Sequence, residues 1–137
     1  MSAVLIRAAL ETALAAMSPA LDTAWENRAY TPVVGTPYQR VNLLLADPDN
    51  PEMGRFTQER GFLQVQLVYP LGDGPGAATA RAELIRDSFY RGLALTASGI
   101  VTTIEKTPEI APARIEEDRY VLTVRVRFFA NYVASGA

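Results

Sequence analysis

The chain contains two stretches in which apolar and polar positions alternate with a period of two, the pattern of a strand with one buried face. They cover residues 61–71 and 119–132. Residues 38–46, which end at a run of turn formers, and residues 99–106 are predicted as two further strands. The sequence therefore predicts about four strands.

Two other stretches carry apolar residues near the spacing of a helix. The first covers residues 3–17, with Ser2 as the predicted N-cap and Pro19 beyond the end. The second covers residues 76–97 and follows a glycine-rich turn. The predicted buried stripes are Leu5, Ala8 or Ala9, Ala13 and Met17, with Leu10 on the flank, and then Ala77, Ala80, Leu84, Phe89 beside Ile85, Leu93 and Thr96. Arg81 is predicted on another face of the second helix.

The order α-β-β-α-β-β predicts an α+β fold, with a largely antiparallel or mixed sheet covered on one face by both helices. We expect one domain over residues 1–137, because this length suits one buried core. Residues 20–36 are expected to form an extended connector held by its aromatic side chains. Long loops are predicted over residues 47–60 and 107–118, the second because Pro108 and Pro112 bar a regular sheet interior.

The sheet face turned away from the helices is predicted to carry a mixed set of side chains. Polar and charged residues alternate with the core positions, so they should point away from the helices. Exposure to solvent, a contact with another subunit and the wall of a lumen all remain open for this face. Its predicted members are Gln64, Gln66, Val121, Thr123, Arg125, Arg127 and Phe129.

Composition narrows the possible chemistry. The formal net charge of −2 gives no reason to expect a nucleic-acid or anionic-membrane binder. The chain has no cysteine and no histidine, which excludes thiolate catalysis, Ser-His-Asp triads and Cys or His metal ligands. The apolar N-terminal stretch is interrupted by Arg7 and Glu11, so we expect a soluble protein with no signal sequence.

The glycine-rich turn, YPLGDGPGAATARAELI over residues 69–85, lies between a predicted strand and a predicted helix, where phosphates often bind. A Walker loop needs a lysine after the last glycine, and Ala77 follows Gly76 here. The spacing G-x-G-x-x-G fails as well, and Pro75 removes one N–H donor. A turn built from residues with positive φ is the favoured interpretation.

Acidic residues cluster at Glu116, Glu117 and Asp118, and again at Asp47 and Asp49. Carboxylates could serve a metal ion or an acid/base pair, but consecutive acids usually diverge into solvent. We therefore assign no catalytic, cofactor-binding or metal-binding residue.

A series of short motifs resembles the phage tail terminator-like family of tailed phages and prophages, which is related to the lambda-type minor tail protein U. The resemblance covers about residues 21–132 and no single motif is diagnostic. Its signals are Trp25-Glu26-Asn27, Pro32, Pro37-Tyr38, Arg60-Gly61 and the glycine-rich turn before the second helix.

The resemblance implies a structural virion protein and no enzyme. Subunits would form a ring, typically a hexamer, that caps the tail tube, stops its polymerisation and joins the head through a connector protein. The expected location is the virion tail, and the host cytoplasm during assembly. Alternatives are another tail or neck connector, a small ligand-binding domain or enzyme using residues 72–76, and a host adaptor pairing through a strand edge. The expected interaction residues are Gln64, Gln66, Arg125, Arg127, Arg55, Glu116 and Glu117.

Overall fold

The computed structural model of the protein describes residues 2–33, 35–46, 56–72 and 74–133. Within these ranges, no helix is long and apolar enough to cross a bilayer. The helices are α1 (Ser2–Ala15) and α2 (Gly76–Ser88). The strands are β1 (Asp22–Ala24), β2 (Tyr38–Leu45), β3 (Phe56–Pro70), β4 (Ala94–Ala97), β5 (Ile100–Ile104), β6 (Glu109–Ile110), β7 (Arg114–Glu116) and β8 (Arg119–Val133).

The sheet is built around β3 and β8, which are 15 residues each and pair antiparallel along their whole length. On the outer edge of β3 lies β2, antiparallel, followed by β1 in parallel. The other edge of β8 pairs with β7, β6 and β5 in turn, and β4 lies beyond β5. The predicted α+β class and mixed sheet are confirmed, although the sheet has more strands than predicted.

One face of the sheet carries the core, and both helices contribute to it. The predicted alternation is confirmed: Leu63, Val65 and Leu67 are buried, while Gln64 and Gln66 are partly exposed. The core residues of the other elements are Ile6, Leu10, Leu14, Met17, Val41, Ala78, Ala82, Ile85, Phe89, Ile104, Leu122, Val124, Val126, Phe128 and Ala130.

The buried face of α1 differs from the predicted stripe. Ile6 and Leu14 are fully buried, whereas the predicted Ala8 is exposed and Ala13 is only half-buried. Ala9 and Met17 are buried as predicted. The reason is that α1 is apolar on nearly every side, so the sequence pattern does not determine which side faces the sheet.

The prediction that the second helix reaches residue 97 is wrong. It ends at Ser88, because the C-cap residue Phe89 has non-helical backbone angles (φ −108°, ψ 59°). Gly92, with a φ of +90°, then turns the chain towards β4. The Gly92 N–H donates to the carbonyl of Ile104 at 2.8 Å, and β4 then forms a hairpin with β5. Leu93 and Thr96 therefore do not extend the helical stripe.

Within α2 the buried residues are Ala78, Arg81, Ala82 and Ile85, followed by Phe89 at the C-cap. Ala77 and Ala80 of the predicted stripe are exposed, and Leu84 is half-buried. Arg81 is buried, although the sequence pattern placed it on a face of the helix outside the buried stripe.

Three short strands occupy segments that were predicted to be irregular. The connector over residues 20–36 contains β1, and the loop over residues 107–118 contains β6 and β7. Pro108 and Pro112 lie on either side of β6 and not within it. Their missing N–H groups therefore remove no hydrogen bond between β6 and β8. The strand predicted over residues 61–71 begins earlier, at Phe56. Of the loop predicted over residues 47–60, residues 47–55 lie outside the described ranges.

Candidate interaction surface

The sheet face turned away from the helices carries rows of side chains that run across three strands. Register fixes the rows, because directly paired residues point to the same side of a sheet. Gln64 pairs with Arg125 directly, so two of the predicted interaction residues are neighbours. From one end of the sheet to the other, the rows are Tyr38, Val68 and Val121; Arg40, Gln66 and Thr123; Asn42, Gln64 and Arg125; and Leu44, Phe62 and Arg127.

The first of these rows is not available to a partner. Tyr38, Val68 and Val121 form a small second core, and the Tyr30 ring packs on Tyr38 at 4.9 Å between centroids. The Arg119 guanidinium lies over the Tyr38 ring and donates to two backbone carbonyls of the connector, each at 3.1 Å. Val121 thus lies on the face turned away from the helices, as predicted, but this small cluster buries it.

The second row is held by a network of three charged side chains. Arg40 donates two hydrogen bonds to Glu116, at 3.0 and 3.2 Å, and Arg114 donates a third at 3.0 Å. These bonds hold the pKa of Glu116 down, to about 2. In a flat sheet, the three strand steps from β2 to β7 would span roughly 14 Å. Glu116 is also paired with Arg119 and so lies further along the sheet than Arg40, so the contact indicates that the sheet curls.

The two predicted arginines differ in their surroundings. Arg125 donates to Glu109 at 3.4 Å, so its charge is already paired. Arg127 is exposed, and its guanidinium lies 5.7 Å from the centroid of the Phe62 ring. Among the described residues no carboxylate lies within 4.0 Å of Arg127. Of these two arginines, Arg127 is therefore the one whose charge no described carboxylate neutralises.

The two predicted glutamates also differ in their surroundings. Glu116 faces Arg40, whereas Glu117 lies in the two-residue turn between β7 and β8, exposed, with a φ of +56°. Arg55, the remaining predicted interaction residue, lies outside the described residues. The structure thus places Gln64, Gln66, Arg125 and Arg127 on one face and Glu117 at the end of a hairpin.

Three charged residues of this region were missed at the sequence level: Arg40, Glu109 and Glu26. Arg40 and Asn42 are two residues apart in β2, so their side chains lie on the same face of the sheet. This spacing alone could have identified Arg40 as a member of the face. Glu26 accepts hydrogen bonds from the Leu43 backbone N–H at 2.8 Å and from Arg7 at 3.0 Å. The backbone bond is the main cause of the lowered pKa of Glu26. Glu26 therefore joins the outer edge of β2 to α1.

Beyond the last row lies an open cleft of about 430 Å³. Its apolar part includes Leu44 and Leu45, which are 42% and 44% exposed. Two arginines and one glutamate provide its charges. The full lining is Leu44, Leu45, Ala46, Arg60, Gly61, Phe62, Glu105 and Arg127. Apolar side chains beside cations suit the binding of an apolar, acidic protein segment.

The glycine-rich turn has the backbone geometry of a turn, as predicted. Gly72 and Gly74 have φ values of +95° and +76°, which only glycine adopts readily. Pro75 is the N-cap of α2 and makes no side-chain hydrogen bond to it. Pro70, Pro75 and Tyr120 line a shallow apolar recess beside the two glycines.

Two comparisons with known proteins give a match. A family model described as phage tail terminator protein matches residues 5–128. One solved structure is 26% identical to this chain and superimposes on it with a TM-score of 0.78. The match covers 98% of this chain and 99% of that one. A search of the curated proteins gives no match.

Proposed function

Because the chain belongs to the phage tail terminator family, a family of structural phage tail proteins, we propose that it forms a ring that caps the tail tube. The ring, typically a hexamer, stops tube polymerisation and presents a surface to the head–tail connector protein. Its partners are further copies of itself, the tail tube protein and that connector. Residues 1–137 act as one domain, located in the virion tail and, during assembly, in the host cytoplasm.

The observation that carries this proposal is the family match over residues 5–128. The surface chemistry supports it. A ring needs a heterologous interface, in which two different patches of each subunit meet. The chain offers a basic, partly apolar cleft at Arg127 and an acidic turn at Glu117. An enzymatic role forms no part of the proposal.

Sedimentation velocity over a wide concentration range, with and without purified tail tubes, tests the proposal. We expect a discrete species near six subunits, either free or assembled on tube ends. Tubes polymerised with the protein should have a limited length, whereas tubes made without it should continue to grow. A connector that joins an already finished tube would leave tube growth unchanged. That result, or a protein that never associates with itself or with tubes, would contradict the proposal.

A further inference from the structure

We infer that the ring is closed by a contact between the β7–β8 turn of one subunit and the open cleft of the next. The acidic tip consists of Ile115, Glu117 and Asp118. The basic cleft is the one lined by Leu44, Phe62, Arg60 and Arg127 among others. This inference rests on the proposed function and names the two patches that meet.

The acidic tip combines an apolar anchor with unpaired charge. Ile115 is 67% exposed, the highest value among the large apolar side chains that the structure describes. Glu117 and Asp118 are exposed, and neither forms an ion pair with another described residue. Leu71, 48% exposed, follows the β3 residue that pairs with Arg119 beside this turn. Apolar side chains left in water beside charges are typical of a surface that a partner covers.

The basic cleft has the complementary composition. Arg127 has no carboxylate partner among the described residues, and Arg60 bonds the Gln58 amide oxygen at 2.9 Å. Glu105 is the one acid in the lining, so the arginines outnumber it. A segment with an apolar side chain and two acids would cover the exposed leucines and neutralise both cations.

The two patches of one subunit cannot meet each other. β8 begins beside the acidic tip at Arg119 and reaches the basic cleft at Arg127. Eight strand residues span roughly 26 Å, so the patches lie at opposite ends of the strand. Contacts between such patches join subunits head to tail, and they close into a ring when the rotation between subunits allows it. A second copy of this chain is the favoured occupant of the basic cleft, because every copy carries an acidic tip of complementary charge.

Cysteine cross-linking tests the contact directly, because the chain contains no cysteine of its own. The test variant carries Leu44→Cys and Ile115→Cys and is treated with a short bismaleimide. The matched control carries Val4→Cys and Ile115→Cys, since Val4 is 59% exposed but lies on α1. We expect a ladder of covalent oligomers from the test variant and mostly monomer from the control.

The reaction is run on the free protein and on protein bound to tail tubes. If the wild type forms a ring or caps tubes while the test variant gives no ladder in either setting, the contact is wrong and the ring stands. If both variants cross-link equally, proximity is non-specific and the contact is also refuted. If the wild type neither associates nor limits tube length, the proposed function fails first.

Charge reversal gives a second, independent measurement. Arg127→Glu places like charges across the contact and should weaken self-association at least about tenfold. Glu117→Arg should do the same, and combining the two should restore much of the loss. Arg91→Glu, on an exposed residue between α2 and β4, is the control with the same change in charge. A double variant as weak as the single variants, or a control as weak as Arg127→Glu, would overturn the assignment.

Discussion

Gly61 is the position at which the structure makes the sharpest stability prediction. A Cβ atom added there would lie 2.2 Å from the carbonyl oxygen of Leu44 and 3.0 Å from the Cα of Leu45. Both atoms belong to the backbone of β2, which pairs with β3 at this point. No side-chain rotation can relieve such a clash. An alanine therefore forces the two strands apart by roughly 1 Å to reach a normal van der Waals distance.

The expected cost follows from this displacement. Overpacking of a closely packed site costs about 1–3 kcal/mol. The neighbouring hydrogen bond from the Ala46 N–H to the Arg60 carbonyl, 2.8 Å long, would be stretched as well. We expect Gly61→Ala to lower the free energy of unfolding by about 2 kcal/mol. The urea midpoint should fall by about 1 M and the Tm by roughly 6–10 °C.

Gly76→Ala is the matched control. Gly76 begins α2, has open space where a Cβ would stand and has no positive φ. Alanine there should be neutral or stabilising by up to about 1 kcal/mol, since it favours the helix and restricts the unfolded chain. Both variants are compared with the wild type by urea unfolding at one protein concentration. Equal midpoints for Gly61→Ala and the wild type would refute the close approach of β2 and β3.

Three further substitutions test charged residues by the same unfolding measurement. Glu116→Gln should cost about 1 kcal/mol or less at neutral pH, because Glu116 is 42% exposed and solvent screens its ion pairs. Because folding lowers the pKa of Glu116 from 4.5 to about 2, its ionised form stabilises the fold above pH 4.5, and this stabilisation is lost as the pH falls towards about 2. The difference in unfolding free energy between Glu116→Gln and the wild type should therefore vanish at low pH. A constant difference from pH 7 to 2 would contradict this. Arg81 is 6% exposed, burial lowers its pKa, and it donates one hydrogen bond, to the Pro19 carbonyl. Two of its nitrogens have no partner among the described residues. Arg81→Met should therefore leave stability unchanged or raise it by about 1 kcal/mol, and a clear loss would be inconsistent with an unpaired buried charge. Glu26→Ala should cost about 1 kcal/mol through the lost bond from the Leu43 N–H, and Glu26→Gln, which can accept that bond, should recover part of it.

The long elements of the fold were predictable because a single periodicity governs each of them. β8, and β3 from Leu63 onwards, have one face on the core, so their alternation is visible in the sequence. The second helix was overextended because Leu93 and Thr96 continue a helical spacing by chance. The helix ends because Phe89 leaves the helical conformation, and the nearest glycine, Gly92, lies three residues further on. A lone glycine in a helical pattern is a weak signal for a helix end.

The short strands could not be predicted because contacts with distant residues make them strands. β6 has two residues and β7 has three, too few to show a period. Both exist because they pair with β8. The same limit applies to the surface. The alternation placed Arg125 and Arg127 on one face, but only the folded chain shows that Glu109 pairs with the first and leaves the second free.

The motifs that carry the family resemblance have structural roles in this chain. Glu26 joins β2 to α1, Gly61 permits the close approach of β2 and β3, and Gly72 supplies a turn with positive φ. None of the three residues belongs to the acidic tip. Gly61 lines the basic cleft, but only as backbone. The resemblance therefore rests on residues that shape the fold, whereas the inferred subunit contact rests on other residues, Ile115 and Arg127. If the inferred contact is correct, exchanging these patches between two family members should exchange their subunit pairing, and exchanging the motif residues should alter stability alone.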